Sequence, residues 1–448
     1  MSGAVERLAI PRVASGRLWG SAGAVLKDSI KFLRQQRQTH GDSFQFRLGT
    51  KRVFFFAHPD QVKHALLDCR ETLVKSQTRE SFGASALTSE GATWLRLRKG
   101  VQPFFTQSNL DAMSVTIDQL AAQAVAGLGR PGAEQIPVHE FFDHTIERIL
   151  VALFFGTEAG EDLQSMVEKI YFLSDQVIKM TMLPAKPPRW FPFFRVPEFY
   201  TSLDDFYSLS DRLLETGNPP GTGCPFRTFL GALKGSDSSA DEKRVQTLAF
   251  VLAGFETTVN GLFWTFLELL RNPVYLDRIR QEWLAGTGAA AAGYAAVERA
   301  FPWTRRCLLE GMRLHPPVWF RTRTVARDFD FQGYPLPKGS LVWISQAVTH
   351  RHPDFWSEPD RFHPERFGEE SESEFKRHPF QYFPFSQGKN ICQGRELAMA
   401  EMILLLSRLV GSVDFQVEAR ELASVQSVAR VSLRPREDLA VRVSRASG

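Results

Sequence analysis

The sequence contains few cysteines and few tyrosines. No two of its four cysteines have C-x-x-C spacing; they are Cys69, Cys224, Cys307 and Cys392. This scatter excludes a disulfide framework and a cysteine-rich zinc site, and it favours a reducing compartment. The 7 tyrosines contrast with 37 phenylalanines. Because a buried phenyl ring needs no hydrogen-bond partner, this bias suits a large apolar interior or a pocket for an apolar ligand, core packing being the commoner reason for any one ring.

Long runs of a single residue class are missing as well. The first apolar stretches are interrupted by Glu6, Arg7, Arg12, Arg17 and Lys27. None therefore reaches the about 20 apolar residues of a membrane span, and the apolar core of a secretory signal is absent. The net charge is +4, but no Lys/Arg block is long enough to predict nucleic-acid binding. We expect a soluble, cytoplasmic protein without a membrane anchor.

Hydrophobic periodicity predicts mostly helices with small sheets. A long helix is predicted over about Asp241–Arg271, where Asn272-Pro273 ends it, and another over about Phe301–Leu314. Alternating residues over 318–345 predict strands, and a last strong helix begins after Gly394. Length alone suggests two or more domains. No repeat or composition shift marks a linker, however, so we expect one domain over residues 1–448.

The segment F-S-Q-G-K-N-I-C-Q-G, which begins at Phe385, carries the strongest chemical signal. A cysteine that binds haem iron is a thiolate on a rigid loop beside the porphyrin. Gly388 and Gly394 would supply backbone where a side chain collides with the macrocycle or where φ is positive. The helix after Cys392 would direct its N-terminal dipole at the sulfur. Phe385 would shield the thiolate from solvent, and Ala398 would keep the helix narrow near the haem.

A cysteine between two glycines is more often a buried structural residue than a ligand. The full pattern F-x-x-G-x-x-x-C-x-G-x-x-x-A is more specific, and it resembles the haem-binding loop of cytochrome P450 enzymes. The segment A-G-F-E-T, which begins at Ala253, resembles the oxygen-activation motif of that family. Alone, its small residues would fit a close helix crossing equally well.

Other motifs of the family follow in order over roughly residues 30–440. The scaffold motif E-x-x-R is similar to Glu310–Arg313, and Arg366 lies in a segment that resembles the loop joining that pair. Trp94–Arg98 matches W-x-x-x-R, whose indole and guanidinium face the haem propionates, and Arg323 matches an arginine on the other side. One departure is Asn390, where the family usually has an arginine or histidine bound to a propionate.

This resemblance implies a mostly α fold with small β-sheets (α+β), a triangular prism with haem b between the long central helix and the cysteine-ligand helix. It implies Cys392 as the metal ligand and Thr257 and Glu256 as the catalytic residues. The remaining residues implied to bind the haem b cofactor are Trp94, Arg98, Ala253, Gly254, Arg323, Phe385, Gly388, Asn390, Gly394 and Ala398. Thr257 would bond dioxygen or water instead of its own backbone, and Glu256 would supply protons through water.

The implied function is that of a monooxygenase, which inserts one oxygen atom from dioxygen into an apolar small molecule by hydroxylation or epoxidation. A secondary metabolite, terpenoid, fatty acid, polyketide or steroid would each fit an apolar cavity. The residues that we expect to line it are Phe82, Leu87, Phe250, Ala253, Val318, Trp319 and Phe320. Alternatives are a peroxide-using peroxygenase or isomerase and a non-catalytic haem sensor, and the Glu256-Thr257 pair argues against both.

The sequence shows no segment that resembles a flavin, nicotinamide or iron–sulfur module. Electrons are therefore expected from separate proteins, and the resemblance to soluble bacterial members implies a ferredoxin and its reductase. Lys99, Lys389 and Arg395 are candidates for a basic docking face, although such charges are often only solvated surface.

Overall fold

The structure is a computed structural model that describes residues 9–14, 16, 19–75, 83–130, 135–156, 168–176, 187–216, 239–368 and 376–446. The chain divides into two compact units. The first comprises Met1–Gln77 and Arg313–Cys392, and the second comprises Thr78–Met312 and Gln393–Gly448. The single domain expected from the sequence stays a prediction.

The described helices, in chain order, are α1 Ala22–Lys27, α2 Ser29–His40, α3 Pro59–Lys63, α4 Gly91–Val101, α5 Gln107–Ala126, α6 Val138–Phe155, α7 Val196–Thr216, α8 Ala240–Arg271, α9 Val274–Gly286, α10 Tyr294–Ala300, α11 Pro302–Leu314, α12 Gln346–Thr349, α13 Arg395–Ser412 and α14 Ala419–Ser424. The strands are β1 Ser43–Leu48, β2 Lys51–Phe56, β3 Leu73–Val74, β4 Gln135–Pro137, β5 Arg321–Val325, β6 Phe329–Phe331, β7 Tyr334–Leu336, β8 Leu341–Ile344, β9 Val413–Gln416, β10 Ser427–Ala429, β11 Leu433–Pro435 and β12 Ala440–Arg445.

The first unit is built on a five-stranded sheet with the order β1-β2-β8-β5-β3. Strand β2 runs parallel to β8 and antiparallel to β1, while β5 is antiparallel to both of its neighbours. The last four residues of β2, Val53–Phe56, are all buried. Consecutive buried residues, with no alternation of buried and exposed side chains, are typical of a strand covered on both faces. Three phenylalanines can therefore follow one another in β2. The sheet thus fixes the position of β5, which carries Arg323.

The second unit is built around the long helix α8. The side chain of Ser239 accepts a hydrogen bond from the Glu242 backbone amide and caps its N-terminus, and Asn272-Pro273 follows its C-terminus. Helix α8 packs against α6 and α13, and α13 also packs against α5 and α9. In the described chain, α8 is the helix long and apolar enough to span a membrane, but 72% of that stretch is buried inside the protein, as in a core helix.

Candidate active site

The loop before Cys392, in the first unit, is held by its own backbone. The Cys392 amide donates a hydrogen bond to the Phe385 carbonyl at 2.8 Å. Between them the chain turns through positive φ at Ser386 (63°) and at Gly388 (69°). A Cβ at Gly388 would also lie 2.3 Å from Leu67 Cδ2, the end of a flexible side chain. The backbone conformation, one of the two reasons that the sequence left open, is therefore sufficient to explain glycine here.

The described cysteines differ in exposure. Cys392 is exposed, whereas Cys69 and Cys307 are buried, and none of the three is in a disulfide. Burial, reinforced by the nearby Asp68, raises the pKa of Cys69 to about 11. The described residues contain no cluster of three or more His, Cys, Asp or Glu side chains that could hold a metal ion. Among the described cysteines, Cys392 has the accessible thiol, which fits an iron whose remaining bonds come from a porphyrin.

Strand β5 of the same unit places two arginines close to each other. Arg323 lies where the sequence places a propionate partner, and its Nη1 donates to the Thr322 carbonyl at 2.8 Å. Arg321, two residues earlier, was not predicted as a site residue. Burial, and then Arg323, lower the pKa of Arg321 to about 10, while Cys392 acts in the opposite direction. The sequence signal that could have indicated Arg321 is a second arginine two residues from Arg323, because side chains two apart on a strand share one face.

One face of α8, in the second unit, is open along an otherwise buried helix. Phe250, Gly254 and Thr257 are half-buried and Ala253 is exposed, whereas nearly all other side chains from Gln246 to Leu270 are buried. Positions i, i+3, i+4 and i+7 share one helix face. A Cβ on Gly254 would meet only Leu150, at an ordinary 3.6 Å. Protein packing therefore does not require glycine there, and these four residues form an open stripe along α8.

The hydroxyl of Thr257 corrects one expectation. Its Oγ1 donates to the Ala253 carbonyl at 2.5 Å, so it does bond its own backbone. The reason is geometric, because the carbonyl four residues earlier lies within reach of a threonine hydroxyl in a helix. With its hydrogen donated, Oγ1 still has lone pairs with which to accept a hydrogen bond.

Glu256 is buried in a polar network that the sequence did not indicate. One carboxylate oxygen accepts from Arg434 Nε at 2.5 Å and from the Ser432 hydroxyl, and the other accepts from the Ser174 hydroxyl at 2.8 Å. Burial acts to raise the pKa of Glu256, but these bonds and the Arg434 charge hold that pKa below its ordinary value. Glu256 is thus a paired carboxylate. Arg434 lies 178 residues away in sequence, so no local pattern pointed to it.

The W-x-x-x-R pair lies on α4, in the second unit. Trp94 is buried, and the Arg98 guanidinium carbon is 5.4 Å from its ring centroid. The Arg98 carbonyl accepts from Gln393 Nε2 at 3.2 Å, next to the start of α13. There Gly394 has an ordinary φ of −86°, and a Cβ would only touch the Phe105 ring at 3.7 Å. Positive φ therefore does not explain Gly394, and Ala398 is half-buried one turn further on.

The predicted scaffold residues are buried. The Arg313 guanidinium donates to the carbonyls of His350, Pro359 and Arg361 at 3.1, 2.7 and 3.0 Å. Arg366 donates to the Glu358 carbonyl at 3.1 Å. Of the predicted lining residues, Leu87 is exposed, Trp319 is buried, Val318 and Phe320 are half-buried, and Phe82 lies outside the described residues.

Comparisons with known proteins agree with these features. A family model described as cytochrome P450 matches residues 16–216 and 224–438. Cyclooctatin synthase of Streptomyces melanosporofaciens is 30% identical over 88% of this chain and 87% of its own. Cyclooctat-9-en-7-ol 5-monooxygenase of the same organism is 25% identical over 88% and 86%. A solved structure of a cyanobacterial P450 with bound retinoic acid has a TM-score of 0.83 at 24% identity, covering 98% of this chain and all of the other.

The structural similarity confirms the predicted fold class, helix-rich with small sheets. The family match confirms haem b as the cofactor and the predicted enzyme class, a haem-dependent monooxygenase. Enzymes of this kind generally use a separate redox partner and act on apolar substrates. A match over nearly the whole chain and a 30% identical relative of similar length leave one conclusion: the chain belongs to the cytochrome P450 family.

Proposed function

We propose that this monooxygenase oxidises a cyclic terpenoid, by hydroxylation or epoxidation, in the groove along α8. The observation that carries this proposal is the open stripe of Phe250, Ala253, Gly254 and Thr257 on a buried helix. Small and apolar side chains there suit a bulky hydrocarbon lying against the helix. The names of two relatives, cyclooctatin synthase and cyclooctat-9-en-7-ol 5-monooxygenase, support a terpenoid over the other apolar classes.

Haem b, when bound, supplies the activation of dioxygen. Cys392 is assigned as its iron ligand, because its thiol is exposed on a loop stiffened by its own hydrogen bond to Phe385. Gly388, Gly394 and Ala398 are assigned to backbone close to the macrocycle. The residues assigned to the propionates are Trp94, Arg98, Arg323 and, through its amide, Asn390.

Thr257 is assigned to hydrogen bonding in the groove. Because its hydroxyl hydrogen is directed at the Ala253 carbonyl, Oγ1 is oriented to accept a hydrogen bond from a water or a hydroxyl group beside α8. Gly254, on the same face, leaves that position sterically open. A valine at residue 257 would keep the shape and lose this acceptor.

Glu256 is assigned to proton supply. The pairing with Arg434 and the two serine hydroxyls keeps the carboxylate ionised in a buried position. While Arg434 is bonded to it, the carboxylate has a lowered pKa and is a weak base. When that bond is exchanged, burial favours the neutral form, so the carboxyl takes up a proton delivered through water. It passes this proton on and regains its charge when the bond to Arg434 forms again. Glu256 would therefore move protons inward one at a time, with Arg434 controlling its charge.

Electrons are proposed to come from a ferredoxin and its reductase, in the cytoplasm. The few scattered cysteines suit a reducing compartment, and the sequence has no recognisable electron-carrying module of its own. The bacterial relatives, of similar length, support a separate donor.

The test is turnover with a ferredoxin, its reductase and a cyclic diterpene alcohol. The alcohol is chosen because its binding shifts the Soret band. Wild type should give a product heavier by one oxygen atom. Thr257→Val should keep haem and substrate binding but release most reducing equivalents as hydrogen peroxide, about a tenfold loss of product per NAD(P)H. Glu256→Gln should instead slow NAD(P)H consumption itself, because the proton supply is lost. The measurement is product and peroxide formed per NAD(P)H consumed.

Thr247→Val is the matched control. Thr247 lies on α8, about one turn before the stripe, and makes the same bond to the carbonyl four residues earlier, that of Lys243 at 3.0 Å, but its side chain is buried. Thr247→Val should form as much product per NAD(P)H consumed as the wild type. Full coupling in Thr257→Val, together with turnover driven by added peroxide alone, would contradict the proposal and favour the peroxide-using alternative.

A further inference from the structure

Two arginines occupy one face of β5 in the first unit. Arg321 lies opposite Ile344 and Arg323 opposite Val342 in the antiparallel pairing with β8. Residues two apart on a strand project to the same side, about 7 Å from each other. Both side chains are half-buried, so solvent screens their repulsion less than at an open surface. An anion between or beside these two cations would offset their repulsion.

Within the described residues, Arg321 has no such anion. Its Nε is shielded from solvent and has no hydrogen-bond partner, and no described Asp or Glu forms an ion pair with it. A buried guanidinium N–H without an acceptor is costly, and such atoms are normally satisfied by a ligand or water. The other charges that influence it most are the cation of Arg323 and the thiol of Cys392, which places Arg321 near the cysteine loop.

In the cysteine loop, an amide occupies the position where the family usually has an arginine or a histidine. Asn390, two residues before Cys392, is half-buried and uncharged. Haem b carries two carboxylates, and an amide does not neutralise either of them. Asn390 therefore leaves this loop one cation short of the family pattern, while β5 carries two arginines.

We propose that Arg321 is a carboxylate-binding residue that acts beside Arg323. A guanidinium binds a carboxylate through two parallel N–H donors, and the orphan Nε of Arg321 is one of these. The proposal rests on haem binding within the proposed function. The carboxylate has two sources, a haem propionate, which the missing charge at Asn390 favours, or an acidic group on the substrate.

The first arm measures haem retention in the purified holoenzyme. Arg321→Gln should release haem to excess apomyoglobin about tenfold faster than wild type, the loss expected for one charge-assisted hydrogen bond. Arg321→Lys, which keeps the charge, should fall between the two. Asn390→Arg added to Arg321→Gln should restore slow release. Arg327→Gln, which removes an exposed arginine just after β5, is the control and should behave as wild type.

The second arm titrates palmitic acid and hexadecanol, which differ in the carboxylate alone, and follows the Soret shift. If the substrate supplies the carboxylate, Arg321→Gln should weaken palmitic acid about tenfold and leave hexadecanol unchanged. Faster haem release supports the propionate source, and selective loss of acid binding supports the substrate source. Unchanged haem release together with unchanged acid binding would overturn the proposal. Neither arm requires turnover, and the ferrous-carbonyl spectrum reports separately whether haem-thiolate binding itself has failed.

Discussion

The described cysteines lie in different environments, and the environment determines which thiol can be an iron ligand. Cys69 is buried beside His64, with 3.3 Å between its sulfur and His64 Nε2, and burial raises its pKa to about 11. Cys307 has no solvent exposure on α11. Cys392 is exposed three residues before a helix begins. Because a metal ligand is the thiolate, a buried thiol with a raised pKa is a poor candidate.

Cys392→Ala should therefore abolish the strongly red-shifted Soret band that ferrous haem-thiolate gives with carbon monoxide. Cys392→His should move the band to the position typical of a histidine-ligated haem. The measurement is the carbonyl difference spectrum of the purified proteins at equal haem content. Cys69→Ala, the control, should keep the wild-type band. Retention of the band in Cys392→Ala would assign the iron to Cys69, Cys224 or Cys307.

At the scale of secondary-structure elements, α8 and β11 are joined by one buried ion pair, Glu256–Arg434. Arg434 also lies 3.4 Å from Asp175 and stacks over Tyr171, 4.5 Å from its ring centroid. Breaking a buried pair on one side leaves an uncompensated charge, which costs about 3–5 kcal/mol. The network therefore holds the hairpin of β10 and β11 against α8, which carries Glu256 and Thr257.

Arg434→Met should destabilise the protein by about 3 kcal/mol near pH 7.5. In the folded wild type the pKa of Glu256 is lowered from its ordinary value of 4.5. The ionised Glu256 therefore stabilises the fold above that ordinary value, and this stabilisation is lost as the pH falls through the folded-state pKa. Without Arg434, burial raises that pKa and the folded protein takes up a proton instead. The free energy of unfolding that Arg434→Met loses should therefore be smaller at lower pH.

Urea unfolding at pH 7.5 and pH 5.5 measures both effects. Glu256→Gln is the matched background, since it removes the charge that Arg434 compensates. In that background the cost of Arg434→Met should be smaller and independent of pH. An equal, pH-independent cost in both backgrounds would mean that Arg434 acts through packing alone.

Local signals explain which elements could be predicted from the sequence. Helix α8 was expected over Asp241–Arg271 and spans Ala240–Arg271, because its ends are set by Ser239 and by Asn272-Pro273. Near the N-terminus, α1 and α2 are two helices and not one, since Asp28 between them is extended and caps the amide of Lys31.

Site residues follow the same rule. For Gly388 the sequence left two reasons open, contact with the macrocycle or a positive φ, and the second could be named because the loop is contiguous in sequence; its φ is indeed positive. Arg434 and Ser432 were not predicted, because their contacts with Glu256 join distant segments and exist only in the folded chain. Arg321 was missed for another reason. Its importance depends on an unsatisfied buried atom, which is a property of packing and not of residue type.

At the scale of the whole molecule, electron supply depends on recognition of another protein. The net charge is +4, and the candidate docking residues Lys99, Lys389 and Arg395 are all exposed. Arg395 has an ion pair with Glu396, 3.2 Å between Nε and Oε1, so part of its charge is already compensated. Exposed charges of this kind contribute little to stability and chiefly accelerate association with an acidic partner.

Charge reversal should therefore act on the partner and not on the fold. Lys99→Glu and Lys389→Glu should each raise the KM for an acidic ferredoxin several-fold, about two to ten times, and leave kcat at saturating ferredoxin unchanged. Arg395→Glu should have a smaller effect, because Glu396 already screens the wild-type charge. The rate of NAD(P)H consumption is measured against ferredoxin concentration at low and high salt, and the differences should narrow as salt rises. Lys338→Glu, at an exposed turn between β7 and β8, makes the same change of net charge and serves as the control. An equal rise in KM with Lys338→Glu would attribute the effect to net charge and remove Lys99 and Lys389 from the docking surface.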